Sequence, residues 1–255
     1  MTQNNQTAKF DITIKVNRLA YNGVTLFNSL QLDLPGGTWT CLLGVSGVGK
    51  TTLLKLVAGL AQNSSCASIR CSDGQPLTNR VAYMAQQDLL MPWLTVIENV
   101  TLGDRLRRIS DPVRYGLAYE LIDRVGLLDY ARELPAKLSG GMRQRVALAR
   151  TLLEDRPVVL MDEPFSALDV ITRLRLQEMA ADLLKDRTVL LVTHDPLEAL
   201  RIGNHIFLMK DQPALLEKIA ELTDPAPRDI KDRTILSHQA DLLSRMKKSN
   251  QEKAS

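Results

Sequence analysis

Three glycines, a lysine and two threonines stand together in the stretch Gly44-Val45-Ser46-Gly47-Val48-Gly49-Lys50-Thr51-Thr52. The spacing G-x-x-x-x-G-K-[ST] builds a phosphate cradle. Glycines let the backbone curl until successive N–H groups face inward, and a helix opening at the end of the loop adds the positive end of its dipole. Lys50 has the reach and charge for β- and γ-phosphates, and the Thr51 hydroxyl is a hard oxygen ligand suited to Mg²⁺. The pattern lies between a short apolar run, Cys41-Leu42-Leu43, and a helical pattern from Lys50 to Ala58 that stops at Gly59. ATP and Mg²⁺ are the expected ligands.

A carboxylate pair, Asp162-Glu163, follows a second apolar run, Val158 to Met161. Both residues are then expected at the carboxyl end of a buried strand, where open α/β sheets hold their ligands. Asp162 suits Mg²⁺, reached through a water. Glu163, one residue on and pointing elsewhere, could polarise an attacking water as general base. An isolated Asp-Glu more often marks an acidic helix start, favoured by the dipole alone. The phosphate loop upstream tips the balance toward catalysis.

Elements that could position these groups are legible around them. Phe10, Ile12, Ile14 and Val16 alternate with polar residues, as do Leu30, Leu32 and Leu34, which is the period of half-buried strands. They predict an antiparallel β layer at the N-terminal end. The runs at 41–43, 158–161 and Val189-Leu190-Leu191-Val192 are continuous and read as strands covered on both faces. Leu117, Leu121, Ile122 and Val125 mark a helix ending at Gly126. Strands alternating with helices imply an α/β core with a mixed sheet. A helical subdomain is expected at about 88–156 and a short helical tail at about 211–255, all within a single domain spanning 1–255.

Bulk composition excludes some classes. With 32 basic against 29 acidic residues, net charge +3, there is no electrostatic case for a nucleic-acid partner. No apolar run reaches the roughly 18–20 residues that span a bilayer, and the start is polar, so a cytoplasmic location is expected. Cys41, Cys66 and Cys71 have no metal-ligand spacing and make no disulfide framework.

Leu138-Ser139-Gly140-Gly141-Met142-Arg143-Gln144 opens a helical pattern through Val146, Ala147 and Leu148, so its N–H groups and the Ser139 hydroxyl offer a second anion site. Here the chain resembles the ATPase subunits of ABC transporters, over roughly residues 10–210, and this stretch resembles their signature motif. The resemblance implies a P-loop ATPase core with an inserted helical subdomain, and a second copy of the chain whose Ser139, Gly140 and Gly141 close over nucleotide held by the first. Tyr21 resembles the aromatic that stacks on adenine. Gln86 matches the glutamine that senses Mg²⁺ and the attacking water and begins the link to the membrane subunit; Gln87 beside it leaves that choice open, and Pro92-Trp93 favours Gln86. Asp169, in Ser166-Ala167-Leu168-Asp169, resembles the loop by which the subunits sense each other, while its position also suits a helix cap. His194 resembles the switch histidine on the γ-phosphate. Val45, Thr51 and Ala85 depart mildly from the commonest family pattern.

The resemblance further implies integral membrane permease subunits received by residues 86–99, a solute-binding protein acting through them, and a peripheral position on the cytoplasmic face of the membrane. The stretch 86–93 and Pro227-Arg228-Asp229 resemble the nitrate, sulfonate and taurine importer branch, and within it importers of hydroxymethylpyrimidine, a thiamine precursor. Soluble ABC-type switches usually carry two cassettes or a coiled-coil insertion, and neither is visible. A P-loop kinase or GTPase would leave the signature, Gln86 and His194 without a role.

Overall fold

The structure, a computed structural model, describes residues 9–21, 23–61 and 66–252, with side chains at 21 and 247–252 outside the description. In chain order the elements are β1 (Ile12–Tyr21), β2 (Val24–Leu34), β3 (Trp39–Gly44), α1 (Lys50–Val57), β4 (Ala67–Cys71), β5 (Val81–Met84), α2 (Val96–Val100), α3 (Leu102–Leu106), α4 (Pro112–Arg124) and α5 (Gly140–Leu153). They continue with β6 (Val158–Asp162), α6 (Val170–Leu183), β7 (Thr188–Val192), α7 (Pro196–Ile202), β8 (His205–Lys210), β9 (Leu215–Glu221) and α8 (Arg233–Glu252). The chain divides into two units, one of residues 1–81, 157–162 and 185–255, the other of 82–156 and 163–184.

The first unit holds both β layers. β1 pairs antiparallel with β2 and β4, in the order β2-β1-β4. Its register sets Ile14 opposite Leu32 and Val16 opposite Leu30, so one face of the pair is apolar and buried, while Lys15 meets Gln31 on the other. That outcome follows from the period-two pattern, because a slip of one residue would turn every apolar side chain to water. Within the first unit the second layer runs β6-β7-β3-β8-β9. The pairs β6-β7, β7-β3 and β3-β8 are parallel, and β9 closes the edge antiparallel to β8. Every residue of β3, β6 and β7 is buried, which accounts for their continuous apolar runs. The fold is thus α/β with a mixed sheet and an antiparallel layer.

The region after Lys210 departs from the helical tail expected for it. Leu215–Glu221 is strand β9, and only from Arg233 does a helix, α8, begin. Leu-Leu-Glu-Lys-Ile-Ala-Glu has strong helix formers, but the open edge of β8 offers a ladder of backbone partners, and that pairing overrides local propensity.

The second unit is built mainly from helices. α2 starts with a reciprocal cap: the Thr95 N–H donates to Glu98 Oε2 at 2.9 Å and the Glu98 N–H to Thr95 Oγ1 at 3.4 Å. α4 starts at Pro112 behind Asp111, whose Oδ1 accepts the Val113 N–H at 2.9 Å. Ala118, Leu121 and Ile122 of α4 and Val146, Ala149 and Leu153 of α5 are buried in this unit. Among the described residues no helix is long and apolar enough to cross a membrane.

Candidate functional site

In the first unit, three adjacent strands deliver three of the predicted groups to one edge. Asp162 ends β6 opposite Val192 of β7, and Leu42 of β3 also lies opposite Val192. Gly44, Asp162 and His194 therefore leave the carboxyl ends of β3, β6 and β7, neighbours about 5 Å apart in a sheet. This is where a parallel sheet reverses strand order and holds its ligand.

The glycine loop is shaped by contacts that allow no side chain. A Cβ on Gly44 would collide with the Met209 carbonyl oxygen of β8, and one on Gly49 would lie 3.0 Å from the Phe27 ring. Gly49 also caps α1 at φ 112°, a left-handed backbone that side-chain-bearing residues rarely adopt. Through the turn Gly44-Val45-Ser46-Gly47-Val48-Gly49 the chain enters α1, whose first turn has no acidic residue to compete for an anion. Lys50, only 6% exposed, donates through Nζ to the carbonyls of Gly44 at 2.7 Å and Val45 at 2.9 Å, which holds its charge over the loop. Thr51 and Thr52 follow in the first turn of α1. The cradle, the ammonium and the helix start fit a nucleotide triphosphate.

Mg²⁺ meets a fitting donor set: the Thr51 hydroxyl and the buried Asp162 carboxylate are hard oxygen ligands. No group of three or more His, Cys, Asp or Glu side chains is assembled to hold a metal among the described residues. His194 is exposed, and its neighbours are pinned. Thr193 Oγ1 donates to Glu198 Oε2 at 3.2 Å and accepts the Asp195 N–H at 3.0 Å, while Asp195 caps α7 by accepting the Leu197 N–H at 2.9 Å. Tyr21 ends β1, and its side chain lies outside the described residues.

In the second unit, Glu163 is bracketed. Gln86 Nε2 donates to Glu163 Oε2 at 3.1 Å, so of the two neighbouring glutamines Gln86 is the one placed on this carboxylate. The Glu163 carbonyl accepts from Gln144 Nε2 at 3.0 Å and from Ser166 Oγ at 3.0 Å. Glu163 itself has φ 49°, a left-handed conformation that re-aims its side chain after the strand. Ser139 is the N-cap of α5, with Oγ accepting the Met142 N–H at 3.2 Å, and Gly140 and Gly141 form the first turn. A Cβ on Gly141 would sit 3.1 Å from the Ala167 carbonyl, so the signature turn lies close against the loop that leads to Asp169. Asp169 caps α6: its Oδ1 accepts the Thr172 N–H at 3.0 Å, and that bond holds its carboxyl below the usual range. The cap alternative is therefore real, whatever else Asp169 does.

Segment 86–99 presents apolar surface. Trp93 is 71% and Leu89 54% exposed. Met91, Leu94 and Thr95 are gathered around Asn99, fully buried, whose Oδ1 accepts the Met91 N–H at 2.8 Å and whose Nδ2 donates to the carbonyls of Met91, Leu94 and Thr95 at 3.1, 2.9 and 3.1 Å. Sequence reasoning missed Arg150 and gave Gln144 and Asn99 no role beyond closing the signature stretch and the 86–99 segment. The available signal was slight: a buried amide in an otherwise apolar turn, and polar residues in a helix without a polar face to belong to.

Comparison with known proteins matches the family model "ABC transporter" over residues 27–166. An ABC transporter ATP-binding protein of Haemophilus influenzae is 39% identical over 231 residues, covering 89% of this chain and 95% of that one. An aliphatic sulfonates import ATP-binding protein of Pseudomonas savastanoi pv. phaseolicola is 39% identical over 239 residues, covering 92% of this chain and 95% of its own. A solved dimeric ATP-binding cassette, in a post-hydrolysis state bound to ADP and Pi, superimposes with a TM-score of 0.71 at 27% identity, over 83% of this chain and 100% of that one. The strand edge bearing Gly44, Asp162 and His194, the cradle around Lys50 and these matches agree, and the chain belongs to the ABC transporter family as an ATP-binding ATPase domain.

Proposed function

We propose that this chain hydrolyses ATP in a sandwich of two copies and so powers an importer of aliphatic sulfonates or a similar small anion. The observation that carries the reading is the common edge of β3, β6 and β7, which places the phosphate cradle, Asp162 and His194 side by side. The dimeric cassette bound to ADP and Pi supports the two-copy arrangement. In it, nucleotide bound at Lys50 of one copy is closed over by Ser139, Gly140 and Gly141 of the other.

The chain's own groups divide the work. Backbone N–H groups of the loop and the α1 start hold the phosphates, and the Lys50 ammonium exchanges two loop carbonyls for phosphate oxygens. Thr51 and Asp162 would hold Mg²⁺, which would supply charge that offsets the phosphates, and Gln86 is carried over from the family resemblance as its sensor. Glu163 accepts a proton from the water that attacks the γ-phosphorus, the bond to the bridging oxygen breaks, and ADP and phosphate remain. Gln86 orients the Glu163 carboxylate, and His194 contacts the γ-phosphate as the switch. Tyr21 stacks on the adenine, and Asp169 reports across the dimer. Loss of the γ-phosphate removes what both copies grip, so the sandwich reopens and moves the permease subunits docked at 86–99. The chain then works at the cytoplasmic face of the membrane, with a solute-binding protein acting through those subunits.

The sulfonate assignment is preferred over hydroxymethylpyrimidine because named sulfonate relatives reach 39% identity across most of the chain. Deleting the chain from its host and measuring uptake tests it: alkanesulfonate uptake is lost and hydroxymethylpyrimidine uptake kept. The reverse result overturns the assignment. For the chemistry, Lys50→Ala lowers hydrolysis by a thousandfold or so, since it removes charge stabilisation of the transferring group. Full activity in that variant removes the site.

A further inference from the structure

α5 carries more than the signature turn at its start. Seven residues separate Arg143 and Arg150, which in a helix puts them on one stripe, about 20° and ~10.5 Å apart. Both reach the segment that follows Gln86. Arg143 Nε donates to Asp88 Oδ2 at 3.0 Å. Arg150 donates to the Asp88 carbonyl at 2.7 Å and to the Leu89 carbonyl at 3.0 Å. On the neighbouring stripe, Gln144 is 5% exposed and holds the Glu163 carbonyl.

Two of the residues held this way share a rare backbone state. Leu89 has φ 47° and Glu163 φ 49°, and neither is glycine. Side-chain-bearing residues keep such a conformation only where the surroundings impose it. In both cases a side chain of α5 binds the carbonyl of the left-handed residue: Arg150 at Leu89 and Gln144 at Glu163. We propose that α5 is the lever joining the 88–91 segment, through its exposed Leu89, to the general base, with Arg150 and Gln144 as its positioning residues. The proposal rests on the reading of Glu163 as the base. Each acts through a backbone that it holds. A push on Leu89 moves Arg150, hence α5, hence both the Ser139 turn and the Glu163 backbone.

The test uses the full chain with Mg-ATP. Gln144→Met keeps side-chain size and removes the donor; it lowers kcat about tenfold with KM for ATP within twofold. Arg150→Met does the same, and Arg150→Lys, which keeps one donor, recovers part of the loss. Because both act along one lever, the double variant falls no further than the more affected single variant. Thermal melts and binding of a fluorescent ATP analogue identify variants that fail to fold, for which Arg150→Lys and Gln144→Glu, an acceptor-only side chain of the same shape, take their place. Glu163→Gln is measured alongside. If Glu163→Gln is inactive while Gln144→Met and Arg150→Met keep kcat within twofold, the lever is overturned and the base assignment stands. Losses that multiply independently overturn the linkage. If Glu163→Gln still hydrolyses ATP at the wild-type rate, the base assignment falls and the lever with it.

Discussion

Replacing Asn99 tests how the 91–95 turn is held. Its side chain accepts one N–H and shares its two amide hydrogens among three carbonyls, all between 2.8 and 3.1 Å, from a fully buried position. In Asn99→Leu these bonds vanish and the Met91 N–H is left unsatisfied. At about 1 kcal/mol for a typical bond and about 1–3 kcal/mol for a stranded buried donor, the cost is roughly 3 kcal/mol. For a chain of this length that is a fall of about 6–12 °C in Tm. Asn99→Asp keeps the acceptor and points its second oxygen at three carbonyls, so the new carboxyl favours its protonated form, which can donate once. Its folded pKa is raised above the unfolded value of about 3.9. For a group raised on folding, the stabilisation is present below the unfolded pKa and lost as pH rises through the folded one. Asn99→Asp should thus match or exceed Asn99→Leu in stability near pH 4 and fall below it by pH 8. Urea melts of both variants across that range read the difference. An Asn99→Leu cost under 0.5 kcal/mol or so, or a pH-independent gap between the variants, would refute the reasoning.

Two further substitutions probe the first unit. Arg228 is 6% exposed and donates to the carbonyls of Leu200, Gly203, Leu222 and Asp224 at 3.0, 2.7, 3.1 and 2.7 Å, closing the end of α7. Arg228→Met should cost about 3–4 kcal/mol in urea melts, with Arg228→Lys recovering only part because an ammonium cannot fork to all four. Gly49→Ala forces a Cβ against Phe27 on a left-handed backbone, so it should destabilise by roughly 1–3 kcal/mol and raise KM for ATP; unchanged melting and KM would show that the loop tolerates a side chain.

What was legible in the sequence shares one property: its meaning is local. The Gly44–Thr52 loop works through the curl of its own backbone, and alternation in Ile12, Ile14 and Val16 states directly which face is buried. β3, β6 and β7 announce themselves because burial on both faces leaves no polar position. β9 was hidden because Glu217, Lys218 and Glu221 make an edge strand look like a helix face, and only the register with β8 decides otherwise. β4 was missed for a similar reason, with Ser68 and Arg70 exposed on a short edge. At the site, Glu163 and Gln86 could be named from neighbouring motifs. The structural roles of Gln144, Arg150, Asn99 and Arg228 could not, because their partners are mainly backbone groups, which every residue possesses and no residue name distinguishes.

In the proposed cycle, hydrolysis at Glu163 ends a grip shared by two copies. Glu163→Gln keeps an oxygen able to accept from Gln86 and removes the base. Sizing chromatography with light scattering at saturating Mg-ATP should find this variant as an ATP-bound dimer, while the unaltered chain elutes mostly as monomer after turnover. A variant that binds ATP yet remains monomeric, or that hydrolyses it at the wild-type rate, would contradict the account.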